Sequence, residues 1–361
     1  MSGVLVAPSI RELPTLARQL QDWLSAKMPN AKDLRVENLD YPRGAGQSHE
    51  TILFDAAWTE DGAPKTQGMV VRIKPSSHTV FQDDMFEEQY RVMEIAGRSG
   101  KVRVAKVFWL ERDPTLLGAP FFIMEKLKGR VAVSIPPYMQ EGWVVDATPQ
   151  QRATMWEDGV RQLAAIQHLD VAEFGFLSRP KDGATGFDQE WGRWARYLRW
   201  LSEDETYPHL ETALEQLDAL KPKNRPEGLV WGDARLGNQM IDDTYHVAAV
   251  MDWEQTSLGG ALHDLGWWLA IQHGITQAMP DKERGLPGFG TREETITLWA
   301  EASGKSADDI EWYEAFANFK LSCLSARLMK LRGTPMTVEQ HNASPINRNL
   351  LRRIETLRAG G

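Results

Sequence analysis

Three polar residues near the middle of the chain have types and spacing that could do chemistry. Asp233 and Asn238 lie five positions apart in the stretch WGDARLGN, and Asp252 follows an apolar run fourteen positions later. Mg²⁺ prefers hard oxygen ligands and usually binds through one or two carboxylates together with substrate phosphates. Transfer of a phosphoryl group needs this charge neutralisation and a carboxylate that orients the acceptor hydroxyl. The three residues therefore predict chemistry on a phosphate group.

The segments around these residues predict that they converge. Two glycines favour a loop around Asp233, and residues 239–241 and 246–251 are typical of short strands joined by a polar turn. A hairpin of this size would bring Asp252 back to Asn238.

We expect each member of this group to have a separate role. Asp233 would orient the acceptor hydroxyl or receive its proton, and Arg235 would balance phosphate charge. Asn238 and Asp252 would bind Mg²⁺. The alternative is an ordinary polar turn followed by a strand end, with Asp252 capping the next helix.

The composition is that of a soluble globular protein that does not bind nucleic acid. The chain has 361 residues, of which 42% are hydrophobic and 25% charged, and its formal net charge is −9. This length suits one large domain or two lobes. The negative charge argues against binding to nucleic acid or to an anionic membrane.

The cysteine content and the N-terminus predict a cytoplasmic protein. Cys323 is the single cysteine, so no internal disulfide can form, which is typical of reducing compartments. The first residues lack the basic and apolar regions of a signal peptide. Apolar stretches such as residues 258–271 are too short to span a membrane. Either a monomer or a dimer is compatible with the sequence.

Strands dominate the first third of the sequence. Ser9 to Glu12 has the pattern of a capping box before leucines at helical spacing, which predicts a helix over about residues 10–28. Pro14 favours a slightly later start. The other expected elements are strands at 34–39, 51–58, 69–73, 102–110 and 121–125, a hairpin turn at 60–62, and a helix at 86–96.

Helices dominate the rest of the sequence. Thr148 has the features of an N-cap, with Pro149 at the first helical position and Gln151 three residues after the cap. Further helices are expected at 191–201, 210–220, 264–272, 292–302 and 311–331. The sequence thus predicts an α+β fold, with a small β-rich lobe at residues 1–126 and a larger helical lobe at residues 127–361.

The motif around Asp233 resembles that of the aminoglycoside phosphotransferase family, which has a protein-kinase-like fold. The family's catalytic loop reads His-Gly-Asp, four residues, then Asn, and its metal-binding Asp begins an Asp-Trp or Asp-Phe step. This chain matches both patterns, except that Trp231 stands in place of the histidine. The resemblance covers nearly the whole chain. It implies a two-lobed fold that uses ATP and Mg²⁺ to phosphorylate a hydroxyl group of a small molecule.

Several positions match the nucleotide site of that family. Small residues that would let backbone N–H groups approach the phosphates are Gly44, Gly46 and Ser48. The stretch FFIMEKL matches the family's hinge strand. There the backbone of Glu125 and Leu127 would hydrogen-bond adenine, and Met124 would flank the pocket.

The resemblance also implies a cation for the phosphates and an acidic partner for it. Arg72 and Lys74 share one face of the predicted third strand, so either could reach phosphate, and Arg72 aligns with the family's lysine. The acidic partner belongs on the following helix. Gln89 aligns best with it, and we expect the neighbouring Glu88 to face the site.

The branch of the family that this chain most resembles contains the kinase-like domains found with acyl-CoA dehydrogenases. The stretches that carry this likeness are residues 89–93, 288–294 and 309–316. The likeness implies a hydroxylated acyl compound or another small hydroxyl compound as acceptor. Trp194 and Trp200 lie in the segment where this fold builds its acceptor pocket, and we expect them and Glu254 to contact the acceptor.

Two other functions are open at this stage. A nucleotide-binding pseudokinase that serves as an interaction partner is favoured by the altered positions Trp231, Arg72 and Gln89. The joint presence of two aspartates and an asparagine in the central motif disfavours it, because burying unpaired carboxylates is costly. The other alternative is an aminoglycoside phosphotransferase, although the aromatic second lobe favours a partly apolar acceptor over a polycationic sugar.

Overall fold

The structure, a computed structural model, describes most of the chain. The described residues are 11–42, 50–74, 80–134, 136–277, 279, 281–282 and 284–360. Contacts between residues divide the chain into two compact units. The first comprises Met1–Thr79 and Ala105–Lys128, and the second comprises Val80–Val104 and Gly129–Gly361.

The regular elements are numbered along the chain. The strands are β1 (Lys32–Asp40), β2 (Glu50–Glu60), β3 (Ala63–Ile73), β4 (Val107–Glu111), β5 (Phe121–Glu125), β6 (Arg130–Val131), β7 (Gln239–Ile241) and β8 (Val247–Val250). The helices are α1 (Leu13–Lys27), α2 (Phe86–Ser99), α3 (Pro114–Leu117), α4 (Trp143–Asp146), α5 (Pro149–Ala165), α6 (Gly186–Leu201), α7 (Pro208–Ala219), α8 (Leu262–Thr276), α9 (Arg292–Ser303), α10 (Ile310–Leu331), α11 (Val338–Asn342) and α12 (Pro345–Gly360).

The first unit is built on an antiparallel sheet of five strands in the order β1-β2-β3-β5-β4. Asp61 and Gly62, both with positive φ, close the hairpin between β2 and β3, as the sequence predicts. Leu16, Leu20 and Leu24 recur every fourth residue along α1. The helix therefore buries one apolar face in the same core as the sheet.

The start of α1 differs from the prediction. The helix begins at Leu13, with Glu12 at the N-cap position and no side-chain cap bond, so the expected capping box is wrong. Ser9, the expected cap, lies outside the described residues. Pro14 occupies the first turn, where its missing N–H costs no helical hydrogen bond.

The strand predicted over residues 102–110 forms only at its C-terminal end, as β4. Upstream, the N–H of Arg103 donates to the side-chain oxygen of Gln162 at 3.0 Å. The carbonyl of Arg103 accepts from the N–H of Val250 at 2.7 Å. Because these backbone groups bond to α5 and to the end of β8, this segment does not extend the sheet.

Helices make up most of the second unit. Helix α10 packs against α8 and α12, and α8 is buried on nearly all sides because its sequence is apolar all round. The capping box at Thr148 forms as predicted, with reciprocal bonds to Gln151. The elements that the sequence did not predict are β6, the short helices α3 and α4, and the helices α11 and α12. The protein has an α+β fold with a β-sheet lobe and a helical lobe. In the described part of the chain, no helix is long and apolar enough to cross a membrane.

Candidate active site

The loop that carries Asp233 is anchored by Asp264. One oxygen of Asp264 accepts from the backbone N–H of Trp231 at 2.6 Å, and the other accepts from that of Gly232 at 2.8 Å. Gly232 has a φ of +105°, and a Cβ there would lie 2.4 Å from the Cβ of Gln255, so the position requires glycine. Asp264 therefore anchors the loop through two backbone N–H groups.

Charged groups are buried beneath this loop. Burial raises the pKa of Asp264 to about 7, against the lowering effect of the two backbone N–H groups. Lys320 and Glu190 lie nearby, each 2% exposed, with Nζ and Oε1 3.5 Å apart. Burial acts to raise the pKa of Glu190, but the charges of Lys320 and Arg193 lower it to about 2. Glu190 is therefore a buried carboxylate that balances a buried ammonium group.

The carboxylate of Asp233 is held by three side-chain donors. Trp267 Nε1 donates to Oδ1 at 3.0 Å. Asn238 Nδ2 donates to Oδ2 at 2.7 Å, and Arg235 Nε donates to the same oxygen at 3.0 Å. The side chain is 18% exposed, so its orientation is fixed while part of it remains open to solvent. A carboxylate held in this way is suited to orient a hydroxyl group.

The hairpin of β7 and β8 brings Asp252 to Asn238, as the sequence predicts. Gln239 pairs with Val250, and the N–H of Met251 donates to the carbonyl of Asn238 at 2.8 Å. Asp252 itself has a φ of +61°. Aspartate and asparagine adopt this left-handed conformation more readily than most other residues with a side chain.

Trp231, at the position where the resemblance implies a histidine, supports the same hairpin end. Its ring is fully buried, and its Nε1 donates to the carbonyls of Met251 at 2.8 Å and Asp252 at 3.2 Å. The substituted residue therefore ties the loop of Asp233 to the segment of Asp252 by direct hydrogen bonds.

Arg235 lies among the acidic groups of the site. Its Nε bonds to Asp233, and its Nη1 donates to Ser134 Oγ at 2.6 Å. Burial disfavours its charge, but the carboxylates of Asp233 and Asp252 raise its pKa. The guanidinium is therefore paired with the carboxylate that was expected to act on the acceptor, beside the position expected to bind metal.

Asn238 and Asp252 have the donor chemistry that Mg²⁺ needs. Both offer hard oxygen ligands, and the backbone bond at Met251 holds their segments together. Within the described ranges, no group of three or more histidine, cysteine, aspartate or glutamate side chains could hold a metal ion. An amide and a carboxylate fit an ion that takes its other ligands from phosphates and water, rather than a site made wholly of protein groups.

A comparison with protein-family models decides the family. The model of the phosphotransferase enzyme family matches residues 42–295, which is most of the chain. The chain belongs to the phosphotransferase enzyme family.

The relatives of this phosphotransferase-family chain are much longer than the chain itself. Probable acyl-CoA dehydrogenase IBR3 of Arabidopsis thaliana is 26% identical over 330 residues, covering 86% of this chain and 38% of that protein. Acyl-CoA dehydrogenase family member 10 of Mus musculus is 25% identical over 286 residues, covering 77% of this chain and 25% of that protein. The chain thus spans about a quarter to two fifths of these relatives, and the predicted likeness to the branch found with acyl-CoA dehydrogenases is confirmed.

Solved structures share the fold of this phosphotransferase-family chain. A Ralstonia eutropha protein, provisionally assigned as an aminoglycoside phosphotransferase, has a TM-score of 0.66 and 24% identity, covering 94% of this chain and 98% of that one. Plasmodium vivax ethanolamine kinase has a TM-score of 0.58 and 11% identity, covering 98% and 90%. A mutant aminoglycoside phosphotransferase in complex with AMP-PNP and hygromycin B has a TM-score of 0.51 and 13% identity, covering 96% and 99%.

The residues expected at the hinge lie at the end of β5 in the first unit. Met124 and Glu125 are its last residues and Leu127 follows it, all of them half-buried. The N–H of Glu125 donates to the carbonyl of Lys106 at 2.8 Å. Because this N–H is already engaged by the carbonyl of Lys106, adenine recognition at Glu125 would use the carbonyl group of that residue.

The two candidate phosphate-binding cations lie at the C-terminal end of β3. Arg72 and Lys74 are half-buried, whereas Val71 and Ile73 are fully buried, which is the alternation of a strand with one core face. Lys74 follows the last strand residue, and its N–H donates to the carbonyl of Pro120 at 2.9 Å.

The structure describes only part of the remaining nucleotide site. Glu88 on α2 lies 3.6 Å from the guanidinium of Arg179 in the same unit. The neighbouring Gln89 is fully buried. The loop positions that lie outside the described residues are Gly44, Gly46 and Ser48.

The residues expected to bind the acceptor differ in exposure. Trp194 is 1% exposed, and its Nε1 donates to Glu190 at 2.9 Å. Trp200 is half-buried, with the guanidinium of Arg327 4.3 Å from its ring centroid. Glu254 is 8% exposed. Trp194 is thus part of the packed interior, whereas Trp200 has an accessible portion.

Sequence reasoning missed Trp267, Lys320 and Ser134. Trp267 lies three residues after Asp264, so the two side chains share one face of α8 and reach the same loop. That spacing could have identified Trp267. Lys320 and Ser134 left no comparable signal, because their partners are far away in the sequence.

Proposed function

We propose that this chain transfers the γ-phosphoryl group of ATP to a hydroxyl group of a small molecule. The observation that carries the proposal is the carboxylate of Asp233, which is partly exposed and held by three donors beside Asn238 and Asp252. This is the arrangement that phosphoryl transfer needs, because positioning and charge neutralisation supply most of the catalysis.

The proposed step uses Asp233 as the base. The acceptor hydroxyl donates to the carboxylate, and its oxygen forms a bond to the γ-phosphorus. The bond between that phosphorus and the β–γ bridging oxygen breaks, ADP leaves, and the hydroxyl proton goes to Asp233. Arg235 lies where its charge can offset that of the phosphate while also holding the base.

Asn238 and Asp252 would hold Mg²⁺ through their side-chain oxygens. When bound, Mg²⁺ neutralises negative charge on the phosphates. Trp231 supports this role, since its Nε1 donates to the carbonyl of Asp252 and so fixes the backbone of that residue.

The nucleotide would bind through the first unit. The carbonyl of Glu125 and the backbone of Leu127 would recognise adenine beside Met124, and Arg72 or Lys74 would contact phosphate. The support is the placement of the hinge residues at the end of β5 and of the two half-buried cations at the C-terminal end of β3. The glycine-containing loop at Gly44, Gly46 and Ser48 would cover the phosphates.

The acceptor would be a small, partly apolar molecule with a hydroxyl group, such as a hydroxyacyl compound. The acyl-CoA dehydrogenase names of the relatives support this class. So does α6, where Tyr197 packs against Trp194 and Trp200 with ring centroids 5.0 and 5.4 Å apart. Trp200 and Glu254 would contact the acceptor, and the buried Trp194 would support the wall behind them.

The experiment is a search for the acceptor. The protein is incubated with a cell metabolite extract and ATP, with and without Mg²⁺, and species that gain a phosphoryl group are identified by mass spectrometry. Ethanolamine and hygromycin B are tested separately, because the names of proteins with a similar fold contain them. Hydroxyacyl thioesters are tested as well, because they are the acceptor class proposed here. The proposal predicts a phosphorylated product that requires Mg²⁺. Nucleotide binding without any product would favour the pseudokinase alternative.

A further inference from the structure

The two oxygens of the Asp233 carboxylate are not equally engaged. Oδ2 accepts from Asn238 at 2.7 Å and from Arg235 at 3.0 Å, whereas Oδ1 accepts, among the described residues, from Trp267 alone, at 3.0 Å. Each carboxylate oxygen has about two lone-pair sites for hydrogen bonds. Oδ1 is therefore the oxygen that can accept a further hydrogen bond. The bond from Trp267 fixes the direction from which the second donor can approach.

Trp267 is itself held by buried charge. Its side chain is 2% exposed, and the ammonium nitrogen of Lys320 lies 5.0 Å from its ring centroid. The same nitrogen lies 5.5 Å from the ring centroid of Trp194 and 3.5 Å from Glu190. Glu190 is fixed in turn by hydrogen bonds from Trp194 at 2.9 Å and from Ser257 at 2.8 Å.

This arrangement affects the strength of the bond to Asp233. A cation near the face of an indole ring is attracted to it, more strongly when both are removed from water. Polarisation of the ring by the cation makes its N–H a better donor, as in other hydrogen-bond networks of low dielectric. A ring without an N–H, such as phenyl, would pack there but would not hold the carboxylate.

We propose that Trp267 is a positioning residue for phosphoryl transfer, which directs Oδ1 of Asp233 toward the acceptor hydroxyl, with Lys320 and Glu190 fixing the indole ring. This inference rests on the proposed function. Trp267 would hold the carboxylate of Asp233 from α8, whereas Asn238 and Arg235 hold it from within the loop.

Helix α8 offers a matched control. Trp268 follows Trp267, is 3% exposed, and its Nε1 has no hydrogen-bond partner among the described residues. Trp267→Phe and Trp268→Phe remove the same atoms from neighbouring buried positions. Only Trp267→Phe also removes a hydrogen bond to Asp233.

The kinetic test compares these two variants on the acceptor that the metabolite search identifies. Trp267→Phe is expected to lower kcat by about 10- to 100-fold, the effect of losing one hydrogen bond to a charged group, with the KM for ATP unchanged. Trp268→Phe is expected to change kcat by less than about 2-fold, because it loses no bond. Equal losses in both variants, or a loss confined to KM, would overturn the proposal.

A second measurement needs no transfer activity. Its decisive variant also leaves the side chain of Trp267 in place, so the smaller ring of Trp267→Phe cannot explain the result. In protein labelled with ¹⁵N-tryptophan, the indole N–H resonances of Trp267 and Trp268 are assigned from the two variants. Asp233→Asn is then expected to shift the Trp267 resonance and to leave that of Trp268 in place. An unshifted Trp267 resonance would overturn the contact whether or not the protein is active. A shifted resonance in a protein without transfer activity would contradict the proposed function alone.

Discussion

At the scale of single residues, Trp231 shows how the site accommodates a different residue at one position. Trp231 stands where the family has histidine, yet its Nε1 bonds to the carbonyls of Met251 and Asp252. The indole therefore does locally what an imidazole N–H could do, namely tie two segments of the site together. The replacement is a structural substitution within a connected site, so it does not by itself argue for loss of activity.

His263 provides a prediction about pH. It is 1% exposed, lies 5.0 Å from the ring of Tyr313 and 5.6 Å from that of Phe316, and neither of its nitrogens has a partner in the described part of the chain. Burial, assisted by the charge of Lys320, lowers its pKa from 6.5 to about 3. As pH falls below 6.5, the unfolded chain binds a proton that the folded chain excludes, so stability falls.

The variant His263→Phe should therefore stabilise the protein, and more so in acid. Removing an unpaired polar ring is expected to add about 1 kcal/mol to the free energy of unfolding at pH 7.5. At pH 5 the gain should be larger by about 2 kcal/mol, since each unit below 6.5 adds about 1.4 kcal/mol. Urea denaturation of both proteins at the two pH values measures this. An equal difference at both values would show that His263 does not resist protonation.

The residues of the site could be predicted from the sequence to different degrees. The convergence of Asp233, Asn238 and Asp252 followed from a short hairpin, because contacts close in sequence are set by turn chemistry. The bond of Trp267 to Asp233 joins residues 34 positions apart. It depends on how α8 packs beneath the loop, and that is a tertiary property which local patterns do not encode.

At the scale of elements, the loop at Gly232 depends on backbone geometry as much as on side chains. Gly232 is held by Asp264 in a conformation that suits glycine, against the backbone of Gln255. Elements with a strong period or cap, such as the hairpin at Asp61 and the helix after Thr148, were predicted correctly. The segment before β4 was not, because its backbone partners come from α5 and β8.

A comparison of Gly232→Ala with Gly62→Ala separates the free-energy cost of backbone strain from that of steric overlap. Gly62 has a φ of +76°, and a Cβ added there would have nothing within 4 Å, so alanine meets only backbone strain, about 1 kcal/mol. At position 232 the added Cβ would also lie 2.4 Å from Gln255. The free energy of unfolding of Gly232→Ala should therefore fall by about 3 kcal/mol or more. Urea denaturation compares the two. Equal losses of unfolding free energy in the two variants would mean that the loop around Gly232 accommodates the added methyl group without steric strain.

At the scale of the whole molecule, the family likeness covers both units, and the fold agrees with solved structures of kinases and phosphotransferases. The sequence predicted this α+β fold from its strands, its helices and the central motif. The helices α11 and α12 were not predicted, although α12 carries Leu350, Ile354 and Leu357 at helical spacing, a signal that the prediction overlooked.

Nucleotide binding should stabilise the whole chain in a way that depends on Mg²⁺. AMP-PNP with Mg²⁺ at about a hundred times its Kd is expected to add about 2.7 kcal/mol to the free energy of unfolding, seen as a higher Tm. Asp252→Ala should lose the part of this gain that Mg²⁺ supplies, whereas the exposed Asp243→Ala should keep it. An undiminished gain in Asp252→Ala would place the metal elsewhere.

The most direct test is transfer of a labelled phosphoryl group in a single turnover. ATP carrying ¹⁸O in its γ-phosphoryl group is mixed with Mg²⁺, the acceptor and excess protein, and labelled product is followed by mass spectrometry. Wild type and Asp243→Asn should form it at the same rate. Asp233→Asn should be slower by about 10²- to 10⁴-fold with its affinity for ATP unchanged. Transfer by Asp233→Asn at the wild-type rate would contradict the role of Asp233, and no labelled product from wild type would contradict the proposed function.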